Sequence, residues 1–155
     1  MKIKEVKRTS SSHVYCGPMA VAAITGRDTA RVEKMFATEI KKRNPWRKKP
    51  SRVGATDLKD NGSVLMRCGY TMVSGFINGS PGWSGRTIED WAAKAASDGG
   101  PVAKTWYFIG TNNHWLAFRD DFLVDTFSKG VPVPVHKHPE RNRVLRSVYK
   151  VVRKK

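Results

Sequence analysis

At Gly99-Gly100-Pro101 the chain changes its rhythm. Ahead of that break, apolar residues recur at three- and four-residue steps behind recognisable cap residues, the spacing of helices packed on one face. Behind it the apolar runs are short and rich in Val, Trp, Tyr and Phe, with turn residues between them. Helices first and antiparallel strands afterwards place the chain in the α+β class. Its 155 residues fit one domain with one buried core. Five Trp, six Phe and four Tyr supply the large packing groups that a disordered polybasic chain lacks.

In the helical part, Cys16 to Gly26 reads as a short buried helix: Pro18 suits its first turn, Ala and Met fill it, and Gly26 suits its end. Asp28 or Thr29 caps a second helix to about Arg43, with Val32, Met35, Phe36 and Ile40 on one face. Thr56 reads as the cap of a third, which Asn61-Gly62 should weaken and Cys68-Gly69 should end. A strand over 70–76 follows, and Thr87 caps a fourth helix with Ile88, Trp91, Ala92 and Ala95 inward. The β part offers strands over 101–109, 114–118, 122–127 and 148–152. Two turn-rich stretches, 44–51 and 74–85, should border a cleft, with Trp46 and Trp83 exposed on them.

The net charge is +16 and it is unevenly spread. Residues 1–52 hold 14 basic and 4 acidic groups, 53–136 hold 7 and 8, and 137–155 hold 8 and 1. Two positive flanks around a neutral middle suit nucleic acid or another polyanion, although no finger, RNP signature or P-loop is present. With two cysteines, Cys16 and Cys68, the chain is no disulfide scaffold. Neither His13 with Cys16 nor His136 with His138 has zinc-motif spacing, so no metal or cofactor is expected. No apolar stretch reaches the ~18 residues that span a bilayer. The basic N-terminus runs into Thr9-Ser10-Ser11-Ser12-His13 where a signal peptide would be apolar. The expectation is a cytoplasmic or virion-associated protein without membrane insertion.

The chemistry concentrates on three residues. A helix N-terminus lowers a thiol pKa and offers free N–H groups to a developing oxyanion, and Cys16 stands at such a start. His114 follows Gly110-Thr111-Asn112-Asn113 and opens an apolar strand, where a base is held by a sheet at the edge of a cleft. Asp125 lies at the far end of the next strand, so an antiparallel hairpin brings it beside His114 to orient the imidazole. His13, His136 and His138 read as structural or surface residues.

Cys16-Gly17-Pro18 with its Ala-rich helix resembles the nucleophile motif of the bacteriocin-processing (double-glycine leader) peptidases and their phage and bacterial relatives, in the papain-like clan. Gly99-Gly100-Pro101-Val102, His114-Trp115 and Val124-Asp125 follow in similar order, so the likeness covers roughly residues 10–130. It implies a papain-like α+β fold, with the nucleophile on the first of several N-terminal helices packed on a C-terminal antiparallel sheet. It also implies thiol-mediated amide hydrolysis of a peptide or protein. The family usually carries a Gln about six residues before the cysteine to help bind the oxyanion; here that place is Ser10, and the chain has no Gln. Ser10, Ser11, Ser12 and the Cys16 backbone N–H are the candidate substitutes, and Gly17, Trp46, Trp83, Asn113 and Trp115 the candidates for lining the cleft. The alternative is a weak or inactive papain-like module that binds nucleic acid or another polyanion. Small size, strong basicity and the lack of a secretion signal are also similar to phage-encoded proteins.

Overall fold

The computed structural model describes residues 2–10, 13–77 and 86–155. Its elements run α1 (Cys16–Thr25), α2 (Thr29–Arg43), α3 (Leu58–Arg67), β1 (Tyr70–Ile77), α4 (Ile88–Ala92), β2 (Trp106–Thr111), β3 (His114–Arg119), β4 (Phe122–Val124), β5 (Val133–Pro134) and β6 (Ser147–Arg153). The strands form one antiparallel sheet in the order β1-β6-β2-β3-β4-β5. The fold is α+β, with three helices preceding the sheet in the chain and α4 between β1 and β2.

Each helix is set by local chemistry. α1 is buried over most of its surface, as its Ala-rich run demands, and stops where Gly26 adopts φ 71° and returns its N–H to Ala22 O. Asp28 caps α2 by accepting from Arg31 N at 2.9 Å. α3 begins one residue later than the Thr56 cap predicted: Asp57 and Asp60 form a reciprocal capping box, while the Thr56 hydroxyl is spent on Asn61. Asn61-Gly62 does not interrupt α3, because tertiary packing holds it and Asn61 faces the interior. Arg43, at the end of α2, bonds both Asp57 and Asp60 and ties the two helices together.

Alternation along the strands makes two apolar faces. Phe108, Ala117, Val124 and Val151 face Val21, Phe36 and Leu65 of the first three helices. Ile109, Leu116, Phe118, Leu123 and Val148 face Ile88 and Trp91 of α4, where the Trp91 and Phe118 rings meet at 4.8 Å. A fully buried aromatic of this kind is worth about 1.5–3 kcal/mol in transfer.

Several boundaries differ from the sequence reading, beginning with α4, which closes at Ala92 because Ala95 turns extended ahead of a 3-10 turn and is exposed, not inward. The 101–109 strand begins only at Trp106, since Lys104 takes φ 58° and Val102 N bonds the Tyr107 hydroxyl. The 122–127 strand ends at Val124, where Asp125 enters a turn closed by Ser128. β5 was not foreseen; it is a two-residue edge strand ending in proline, which periodicity does not reveal. Ser11, Ser12, Trp83 and most of 74–85 lie outside the described residues.

Candidate active site

The site assembles where the start of α1 meets the β2–β3 hairpin. Tyr15, extended, precedes α1 and caps it with no side chain. Because Pro18 has no N–H, the free amides of this first turn are those of Cys16 and Gly17. Gly17 is buried against the start of α3: a Cβ there would overlap Thr56 Oγ1 and lie 2.7 Å from Asn61 Oδ1. Thr56 Oγ1 donates to Asn61 Oδ1 at 2.8 Å, and Asn61 Nδ2 is buried with no partner among the described residues. The absence of a side chain at Gly17 thus lets α1 seat Cys16 close to this wall.

The hairpin turns through Asn112 and Asn113, the latter at φ 62°, and starts β3 with His114 paired to Thr111. Trp115 next to it packs on Phe108 at 5.0 Å and donates its indole N–H to Thr56 O at 3.1 Å. That bond anchors the hairpin to the same segment that walls Gly17.

The β3–β4 register pairs Ala117 with Val124. Continued straight, it would set Phe127, not Asp125, opposite His114. The turn after Val124 redirects the carboxylate, and Asp125 Oδ2 lies 2.8 Å from His114 Nε2. An ionised carboxylate only accepts, so Nε2 carries hydrogen and Nδ1 is the nitrogen left for Cys16. From that turn the Phe127 ring approaches within 4.9 Å of the imidazole while the residue stays 58% exposed.

The other carboxylate oxygen is held as well. Asp125 Oδ1 accepts from Ser128 N at 2.9 Å and lies 2.9 Å from Nε2 of the fully buried His138. His138 Nδ1 accepts from Glu140 N at 3.0 Å, which assigns the hydrogen to Nε2 and makes His138 a donor to Asp125. Asp125 is completely buried, and its charge is met by two imidazoles and a backbone amide.

Electrostatics follow from that packing. Burial pushes the Cys16 thiol up, but the hydrogen bond and charge of His114 and the amides of Trp115 and Gly17 outweigh it, and the thiol lies below its ordinary value. Burial alone would lower His114; Asp125 and the Cys16 sulfur reverse this and raise it to about 9. Asp125, likewise penalised by burial, is held well below the usual carboxylate range by His114 and His138. Cys68 goes the other way: burial raises its thiol against the opposing pull of Arg27 and other arginines. Both cysteines are free. A thiolate–imidazolium pair at Cys16 and His114 is the state these directions describe.

Cys16, His114 and Asp125 are therefore together, with Gly17 and Trp115 beside them. Ser10 is committed elsewhere: its hydroxyl bonds Thr29 and Glu33 on α2. Trp46 projects from the turn after α2 with 76% of its surface exposed, and Asn113 caps the hairpin in solvent. His138 is a buried partner of the site, not a surface residue. No period in the sequence pointed to it, because His138 follows a single 3-10 turn, Val135–Lys137, in a proline-containing loop. Tyr15 and Phe127, 44% and 58% exposed, are apolar surfaces next to the reacting groups that the sequence did not single out. Among the described residues no group of three or more His, Cys, Asp or Glu is arranged to hold a metal ion, and no helix is long and apolar enough to cross a membrane. No family model, curated protein or solved structure matches the chain.

Proposed function

We propose that the chain is a papain-like thiol hydrolase that cleaves an amide bond in a peptide or protein, with Cys16 as nucleophile, His114 as acid and base, and Asp125 as the group that orients His114. The observation that carries this reading is the 2.8 Å contact of His114 Nε2 with Asp125, which leaves the opposite ring nitrogen to the sulfur at a helix start. The thiolate adds to the scissile carbonyl carbon. The amide of Cys16 receives the oxyanion, in place of a glutamine side chain. His114 Nδ1 gives its proton to the leaving nitrogen as the C–N bond breaks, and a thioester remains on Cys16. Nδ1 then takes a proton from water, whose oxygen displaces the sulfur. Exposed Tyr15, adjacent to Cys16 in the chain, and exposed Phe127, against His114, offer apolar surface to a substrate side chain.

Acyl transfer from an activated ester tests the reading. Intact-mass analysis should find a thioester on native protein that accumulates and then hydrolyses, and none on Cys16→Ala. Label of equal extent in Cys16→Ala, or no acyl-enzyme in the native protein, overturns the assignment.

A further inference from the structure

The far end of α1 borders a second feature. A groove of about 880 Å³ runs between the N-terminal segment, the last turn of α1, the 104–106 segment and the C-terminal end of β6. Ala22, where α1 first lines the groove, is six residues beyond Cys16, so the groove begins roughly 9 Å along the helix axis from the nucleophile. Eight of its lining residues are Lys or Arg, and Glu5 is the one acid among them.

The groove is built rather than draped with loose charge. The N-terminal segment that carries Lys2, Lys4 and Lys7 is fixed by Val6, which is buried and donates its N–H to Gly130 O, and by Lys7 O, which accepts from Thr29 N. Two guanidinium groups lie over aromatic rings along the wall, Arg119 at 5.7 Å from the Trp106 centroid and Arg153 at 5.9 Å from that of Tyr70. Of these cations only Arg119 has an ion pair among the described residues, Nε to Asp120 at 3.4 Å, and that buried Nε still makes no hydrogen bond. Confining so many like charges costs self-repulsion that a polyanion relieves. The C-terminal end of α1 contributes no amide donors, so recognition falls to side chains. An arginine already lies over each of these two rings, which favours a charged backbone over stacked bases as the ligand.

We propose that this groove binds the phosphodiester backbone of single-stranded nucleic acid, without reading its sequence and independently of Cys16. Each phosphate neutralised on a single strand contributes about −0.7 to the salt slope of log affinity. Four phosphates along the groove therefore give a slope near −3, or roughly a fiftyfold loss between about 50 and 200 mM salt.

The test is fluorescence anisotropy with a labelled oligothymidylate. Lys4→Glu/Lys104→Glu/Arg153→Glu reverses three exposed cations from three parts of the groove. It should lose at least about tenfold in affinity and flatten the slope by about 2. Lys48→Glu/Lys49→Glu/Arg52→Glu changes the net charge equally on an exposed loop outside the groove, and should cost less than about threefold. In native protein the oligonucleotide should shield Lys4 and Lys104 from acetylation, which reports the site even if the triple variant misfolds. Cys16→Ala should bind as native, which separates this outcome from the hydrolase reading. Equal losses in the two triple variants, unprotected Lys4 and Lys104, or no binding at low salt overturn the proposal, as does heparin binding without oligonucleotide binding.

Discussion

Asp125→Asn keeps the shape of the carboxylate and removes its charge, so it isolates what that charge does for the sulfur. His114 holds its proton to about pH 9 instead of the ordinary 6.5, a preference for imidazolium of about 3 kcal/mol shared between Asp125 and the Cys16 thiolate. Without the carboxylate, burial of His114 becomes the dominant influence and drives the proton off, and Cys16 loses the cation that keeps it ionised. The assay is iodoacetamide labelling of native and variant protein across pH, with Cys16 and Cys68 quantified separately by peptide mass. In native protein, wherever Cys16 stays ionised its rate is flat, while that of Cys68 falls about tenfold per pH unit. The Cys16:Cys68 ratio therefore widens about tenfold with each unit of acidification across that range. In Asp125→Asn the flat region should disappear and the two profiles run parallel. Parallel profiles in the native protein, or a variant that keeps the flat region, would refute the ion-pair argument.

Three further outcomes are expected. Peptide hydrolysis should show a plateau bounded on the acid side by Cys16, whose depressed thiol pKa must be exceeded, and on the alkaline side near pH 9, where His114 loses its proton; activity still rising past pH 10 contradicts that assignment. His138→Asn keeps an acceptor for Glu140 N but withdraws the donor from Asp125. It should cost about 1.5–3 kcal/mol in chemical denaturation and lower turnover more than substrate affinity, whereas His138→Gln, which restores a donor at the Nε2 end, should recover part of the turnover; indifference to both substitutions removes His138 from the site. Gly17→Ala should destabilise by about 1–3 kcal/mol because its methyl enters space held by the Thr56 hydroxyl and Asn61, and Gly17→Ala/Thr56→Ala/Asn61→Ala, which removes both obstructing groups, should regain some of that loss in thermal melts; a neutral Gly17→Ala contradicts the close approach.

Much of the framework could be read from residue order because its signals are local. Asp28, Thr87 and Gly26 mark helix ends through bonds made within a few residues, and the bonds are there. The aromatic and β-branched runs behind Gly99-Gly100 became β2, β3 and β6 for the same reason. What escaped depends on contacts distant along the chain. Thr56 and Asp57 are both competent caps, and only the demand of Asn61 for a hydroxyl decides between them. The 122–127 run has strand composition throughout, yet Asp125 leaves the ladder because His114, His138 and Ser128 together satisfy a buried charge better than a strand position could. His138 itself sits in a proline-containing loop with no period to reveal its burial, and Glu140 and Asp125 reach it from both sides.

β6 lies between β1 and β2 although it follows every other strand in the chain. On a ribosome, both neighbours must wait with bare edges until residues 147–153 emerge, and only then does the sheet close. The nascent chain therefore carries a cysteine and a histidine whose frame is still open. Cys16 and His114 come to rest on a completed sheet only once the last strand has been laid between two strands that precede it in the chain.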